Sequence, residues 1–152
     1  MSEIKTRYTV RSRTTDVPGR TLNQARTNHW VIDSPSGPNE AVTTGESFAA
    51  GIAACGVSLI ELHAQRQGLP FGTLAVDIDG VRTDASWPDF EYINAHFTFT
   101  GITQDHAETL VDVWKENCPL YRAVVKSTPV NVTFEAQDAA AGAKQPVGAT
   151  AG

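Results

Sequence analysis

Between Glu46 and Glu61 no residue is charged, and most positions are Ala, Gly, Ile, Leu or Val. Phe48, Ile52, Cys55, Leu59 and Leu62 recur at steps of three and four, which makes one helical stripe. Ala49, Ala53, Gly56 and Ile60 make a second stripe beside it. A helix that is apolar on most faces has to be buried on most faces. Its many small residues invite close approach by a sheet or a second helix. Thr43-Thr-Gly-Glu46 has the spacing of a capping box, and Gln67-Gly68-Leu69-Pro70 has the glycine-then-proline pattern of a helix end. The rest of the chain is therefore expected to wrap around a helix over about 44–67.

The flanking segments read mainly as strands. Residues 3–13 alternate loosely, Asp16-Val-Pro-Gly19 is a turn signature, and 20–26 with 28–33 form a hairpin pattern before the loop Asp33-Ser-Pro-Ser-Gly-Pro-Asn39. Residues 72–83 and 90–100 read as two strands, with Ala95, Phe97 and Phe99 alternating with His96, Thr98 and Thr100. Thr103 opens a second helix through about Asn117, with Ala107, Leu110, Val111 and Trp114 on one face. Pro119 suits the first turn of a short third helix and makes Cys118 its N-cap. Residues 128–134 read as a last strand. The class is α+β: one domain over 1–136 of this 152-residue chain, then an Ala/Gly-rich tail over 137–152 with no packed structure expected.

Charge narrows the partners. The net charge of −5 is diffuse, which disfavours nucleic acid as a partner. The first 26 residues are locally basic, with Lys5, Arg7, Arg11, Arg13, Arg20 and Arg26 against Glu3 and Asp16. Such cations on an outer strand discourage edge-to-edge pairing. No membrane-crossing helix is expected, and residues 1–7 have no signal-peptide core, so the expected location is cytoplasmic with no membrane partner. A permanent structural disulfide is not expected there.

The chain has two cysteines, Cys55 and Cys118. They are either inert core residues or a redox pair. There is no Cys-x-x-Cys, and His29, His63, His96 and His106 lack metal-ligand spacing, so no metal is expected. No organic cofactor is implied either. A thiol reacts as thiolate, and Cys55 lies three turns inside its helix, beyond the field of the helix end. To react at neutral pH it needs a cation. Arginine is the side chain that stays charged in a dry pocket, and a buried arginine needs a carboxylate to hold it. Glu46 could be that carboxylate or simply a capping residue. On an unbroken helix it does not share a face with Cys55, nine residues on.

The segment Gly37-Pro-Asn-Glu-Ala-Val-Thr-Thr-Gly-Glu46-Ser-Phe-Ala-Ala-Gly-Ile-Ala-Ala-Cys55-Gly, with Cys118-Pro119-Leu120 later, resembles the OsmC/Ohr signature over about residues 26–134. The resemblance implies antiparallel sheets wrapped around a long central apolar helix, in an intertwined homodimer. It implies a thiol-dependent peroxidase acting on organic hydroperoxides in oxidative-stress defence, recycled by a thiol or dithiol reductant. Cys55 would be the peroxidatic thiol, Cys118 the resolving one, and Glu46 would orient an activating arginine, Arg26 first and Arg20 second. Phe48, Ile52, Phe97, Phe99 and Trp114 would form an apolar wall for the substrate. Glu46 stands one residue closer to the cysteine than in the Ohr pattern, and a "GGRDG" segment is absent, which fits an OsmC-like branch better than Ohr itself. The alternative reading is a catalytically silent OsmC-like dimer that binds an apolar small molecule.

Overall fold

A computed structural model describes residues 3–138, in two compact units that divide after residue 48. The expected tail thus lies almost wholly outside the described residues.

The first unit is an antiparallel meander of β1 (Arg11–Thr14), β2 (Arg20–Ala25) and β3 (Asn28–Asp33), in that order. The strand expected over 3–13 is shorter and later than its sequence pattern. Arg11–Thr14 pair with Thr21–Gln24, and the residues before Arg11 join no ladder. Gly19 has φ 81°, and a Cβ there would stand 2.7 Å from the Cα of Gly37. That close approach joins the turn before β2 to the loop after β3, where Ser34 N–H donates to the Gly19 carbonyl. The buried residues described in this unit are both polar, Asn23 and Asp33.

Helix α1 (Thr44–Gln67) starts as expected. Thr43 Oγ1 accepts from the Glu46 N–H, and Glu46 Oε2 accepts from the Thr43 N–H at 2.7 Å and from its hydroxyl at 2.9 Å. At the other end Gly68 takes φ 63°.

The second unit has a sheet in the order β4 (Leu74–Val81), β5 (Tyr92–Thr100), β6 (Val130–Gln137), with α2 (Gln104–Asn117) and α3 (Pro119–Val124) between β5 and β6. Strands β4 and β5 are antiparallel, whereas β5 and β6 are parallel because the helices carry the chain back before β6 begins. Register puts Val76 and Phe134 beside Phe97, and Leu74 and Ala136 beside Phe99. Ile93, Ala95, Phe97 and Phe99 are buried on this face, and Ala107, Leu110, Val111 and Trp114 of α2 pack into the same core. Trp114 is its largest member, 4.9 Å from the Phe97 ring and 4.5 Å from the Tyr121 ring.

Helix α1 buries a different stripe from either expected one: Ile52, Gly56, Ile60 and Ala64. Phe48 and Leu62 remain 40% and 42% exposed in the single chain. The cause is Gly56, where a Cβ would meet Phe97 Cε1 at 3.3 Å and Trp114 Nε1 at 3.6 Å, so the bare backbone takes the tightest contact. By length and composition α1 could cross a bilayer, contrary to the expectation that no segment would. Here it is a core helix.

Replacing Trp114 by alanine removes a fully buried indole and should cost about 3–5 kcal/mol. Urea denaturation measures this, and a loss below about 1 kcal/mol would show that the core collapses around the gap.

Candidate active site

The two thiols expected to act together do meet. Cys118 closes α2, its N–H donating to the Trp114 carbonyl at 2.8 Å, and it also caps α3, its sulfur accepting from the Tyr121 N–H at 3.4 Å. Proline at the next position needs no N–H partner, which is why a Cys-Pro pair can turn this corner. Cys118 is fully buried, whereas Cys55 is partly open to solvent. Both are free thiols, with Cys118 Sγ donating to Cys55 Sγ at 2.9 Å. A disulfide bond is about 2.05 Å long, so a shift of about 1 Å separates the pair from a bridge.

Burial pushes the Cys55 thiol up to about 12, and the neighbouring Cys118 adds to the rise. In these surroundings Cys55 is a neutral thiol at pH 7, so nucleophilic chemistry there requires a cation. Trp114 Nε1, 3.6 Å from where a Cβ on Gly56 would stand, is a buried donor without an acceptor among the described residues.

The arginines fall differently. Arg20 makes a bidentate pair with the buried Asp33, Nε and Nη2 each 2.8 Å from a carboxylate oxygen, and Nη2 also reaches Glu40 at 3.0 Å. Asp33 Oδ2 further accepts the N–H groups of Glu40 and Ala41. The Arg20 guanidinium, followed by these N–H groups, holds the Asp33 carboxyl well below the usual carboxylate range. The carboxylates in turn raise Arg20. Arg26 sits in the β2–β3 turn with φ 55°, in the left-handed region uncommon for residues with side chains. Glu46 spends its carboxylate on Thr43, whose N–H and hydroxyl lower it. The structure therefore joins Arg20 to Asp33 and Glu40, and joins Glu46 to neither Arg20 nor Arg26. Asp33 was the residue the sequence analysis passed over. Its signal was an acid ending an apolar strand just before Ser-Pro, where a carboxylate is buried if a cation faces it.

The expected apolar wall is not a pocket, because Ile52, Phe97, Phe99 and Trp114 are buried in the core. A groove of about 240 Å³ lies instead between α1 and α2, lined by Leu59, Leu62, His63, Arg66, Val113 and Asn117. Leu59 follows Cys55 by one helical turn, and Asn117 precedes Cys118.

The model of the OsmC-like protein family matches residues 37–133, which include both cysteines and most of the fold. The chain belongs to the OsmC-like family. Among solved structures it resembles an OsmC-like protein from Mycoplasma pneumoniae, with TM-score 0.78, 15% identity, and coverage of 88% of this chain and 99% of that one. It also resembles an organic hydroperoxide resistance protein OsmC from Legionella pneumophila, with TM-score 0.71, 21% identity, and coverage of 88% and 99%. A third is the organic hydroperoxide resistance protein OhrB of Bacillus subtilis, with TM-score 0.64, 17% identity, and coverage of 86% and 98%. At these identities the likeness establishes the OsmC-like fold. No curated protein matches the chain.

The Asp33–Arg20 pair makes stability sensitive to acid. The folded-state pKa of Asp33 lies below its unfolded value of about 3.9, so the stabilisation is full above about pH 4 and is lost as pH falls through the folded value. Asp33→Asn should lower the melting temperature at pH 7, and its difference from wild type should shrink as pH falls from about 5 towards 2. A difference that stays constant across that range would mean the charge of Asp33 contributes nothing.

Proposed function

We propose that this OsmC-like protein is a thiol peroxidase that reduces organic hydroperoxides through Cys55 and Cys118. The observation that carries this reading is the 2.9 Å approach of two free thiols, one partly open and one buried. A peroxide reaches the open sulfur, and the buried one stands ready to resolve it.

The Cys55 thiolate attacks the distal oxygen of the hydroperoxide, and the O–O bond breaks. The alkoxide leaves and takes up a proton as alcohol, and Cys55 becomes a sulfenic acid. The Cys118 sulfur attacks it, water departs, and a disulfide forms. Two thiol groups of an external reductant, a dithiol or two monothiols, restore both cysteines and are themselves oxidised to a disulfide.

Arg20 supplies the cation in this reading. Two carboxylates hold its guanidinium, as an oriented arginine requires, and its Nη1 donors are unengaged by the hydrogen bonds to Asp33 and Glu40. Asp33 thus takes the part that the family resemblance gives to Glu46. The groove at Leu59, Leu62 and Val113 supports an organic rather than an inorganic peroxide. The half-exposed Phe48 and Leu62 support a homodimer, which light scattering would report as twice the 16.3 kDa chain mass. Free thiols in such a pair suit a reducing compartment such as the cytoplasm.

Turnover of cumene hydroperoxide with a dithiol tests the chemistry. Cys55→Ser should abolish turnover, and Cys118→Ser should form no intramolecular disulfide on peroxide treatment, leaving a Cys55 sulfenic acid that the added dithiol reduces directly. Wild-type turnover no faster than that of Cys55→Ser would leave the ligand-binding alternative, in which the groove holds an apolar molecule and the thiols are silent.

The activating role has its own measurement, the pH profile of Cys55 alkylation by iodoacetamide. In wild type the profile should have its midpoint below the free-thiol value of about 8.5. In Arg20→Met it should move up towards the value that burial dictates, and turnover should fall by about a hundredfold. If Arg26→Met moves the profile instead, the cation is Arg26.

A further inference from the structure

The face of the first sheet has a charge pattern that the thiol chemistry does not use. Register aligns Arg11 with Gln24 and Gln24 with His29, and Arg13 with Leu22, so Arg11, Arg13, Gln24 and His29 share one face. Against it lies an open cleft of about 460 Å³, lined by Arg7, Thr9, Arg11, Gln24 and Arg26. A smaller recess lined by Arg11, Arg13, Leu22, Gln24 and His29 adjoins it through Arg11 and Gln24. No carboxylate lines either one.

Edge protection accounts for arginines that point away into water. It does not account for three arginines lining one concave surface, where like charges raise each other's energy. Elsewhere in this unit arginine charge is neutralised, since Arg20 has Asp33 and Glu40. Among the described residues Arg7, Arg11, Arg13 and Arg26 form no ion pair. The turn is also fixed with Arg26 at φ 55°, and Gln24 Nε2 donates to the Arg26 carbonyl at 3.2 Å. The cleft has the volume of a small-molecule site. Its donors are guanidinium forks, which match the oxygens of a phosphate, and the Thr9 hydroxyl adds a further donor.

We propose that the cleft formed by Arg7, Thr9, Arg11, Gln24 and Arg26 binds the phosphate group of a small phosphorylated ligand. The three arginines neutralise a doubly charged phosphate that a single surface cation would leave mostly hydrated. This site does not depend on the thiol pair and stands or falls without it.

Calorimetric titration of the full chain with inorganic pyrophosphate and with a nucleoside monophosphate tests the proposal, with citrate as a carboxylate control. One saturable site per chain is expected for the phosphates. Arg7→Ala and Arg11→Ala should each weaken it about tenfold or more. Arg11→Lys, which keeps the charge and loses the fork, should weaken it as well, while Lys126→Ala, outside the cleft, should leave it unchanged. Circular dichroism confirms that each variant is folded. Tighter binding of the nucleotide than of pyrophosphate would point to an organic phosphate, and the reverse to an inorganic one. The proposal is overturned if no phosphate saturates a site, if Arg11→Ala binds as wild type does, or if citrate binds as tightly as pyrophosphate.

Discussion

A Cβ on Gly56 would press on Phe97 Cε1 at 3.3 Å and stand 3.6 Å from Trp114 Nε1, so the contact between α1 and the core depends on the absence of a side chain there. The consequences run outward from that contact. Close approach buries Ile52, Ile60 and Ala64 against the sheet and holds Trp114 between Phe97 and Tyr121. Trp114 in turn receives the Cys118 N–H on its carbonyl, which sets the corner between α2 and α3. Cys55 is the residue before Gly56, so the same contact that closes the core brings the sulfurs together. Packing has produced a chemical pair from residues 63 positions apart.

The two units are held by different forces. The second rests on a contiguous apolar cluster centred on Phe97, Phe99 and Trp114. The first has Asn23 and Asp33 as its buried described residues, and its order comes from hydrogen bonds and the two ion pairs of Arg20. A carboxylate buried this far is tolerable because every partner is in place: a guanidinium fork on one side and two backbone N–H groups on the other. Removing any of them leaves charge in a place without water.

Much of this was legible in the sequence because it is local. The capping box at Thr43 and Glu46, the glycine end at Gly68, the alternation through β5 and the Cys-Pro corner each depend on residues a few positions apart, and each appears in the structure. What could not be read depends on partners distant in sequence. Which side of α1 is buried was decided by Phe97 and Trp114, not by the helix's own pattern. The parallel direction of β6 follows from where the α2–α3 excursion ends. The electrostatic partner of Arg20 was missed for a related reason, since Asp33 lies on the far strand of the hairpin and only the register sets it opposite Arg20.

Cys118 ends one helix and begins the next, so its backbone and its sulfur are both structural supports. A thiol in such a place is a mechanical joint. Drawing its sulfur about 1 Å closer to Cys55 to make a bond would pull on the N–H of Tyr121 and on the last turn of α2 together. Bond formation at one atom is thereby geared to the pitch of two helices.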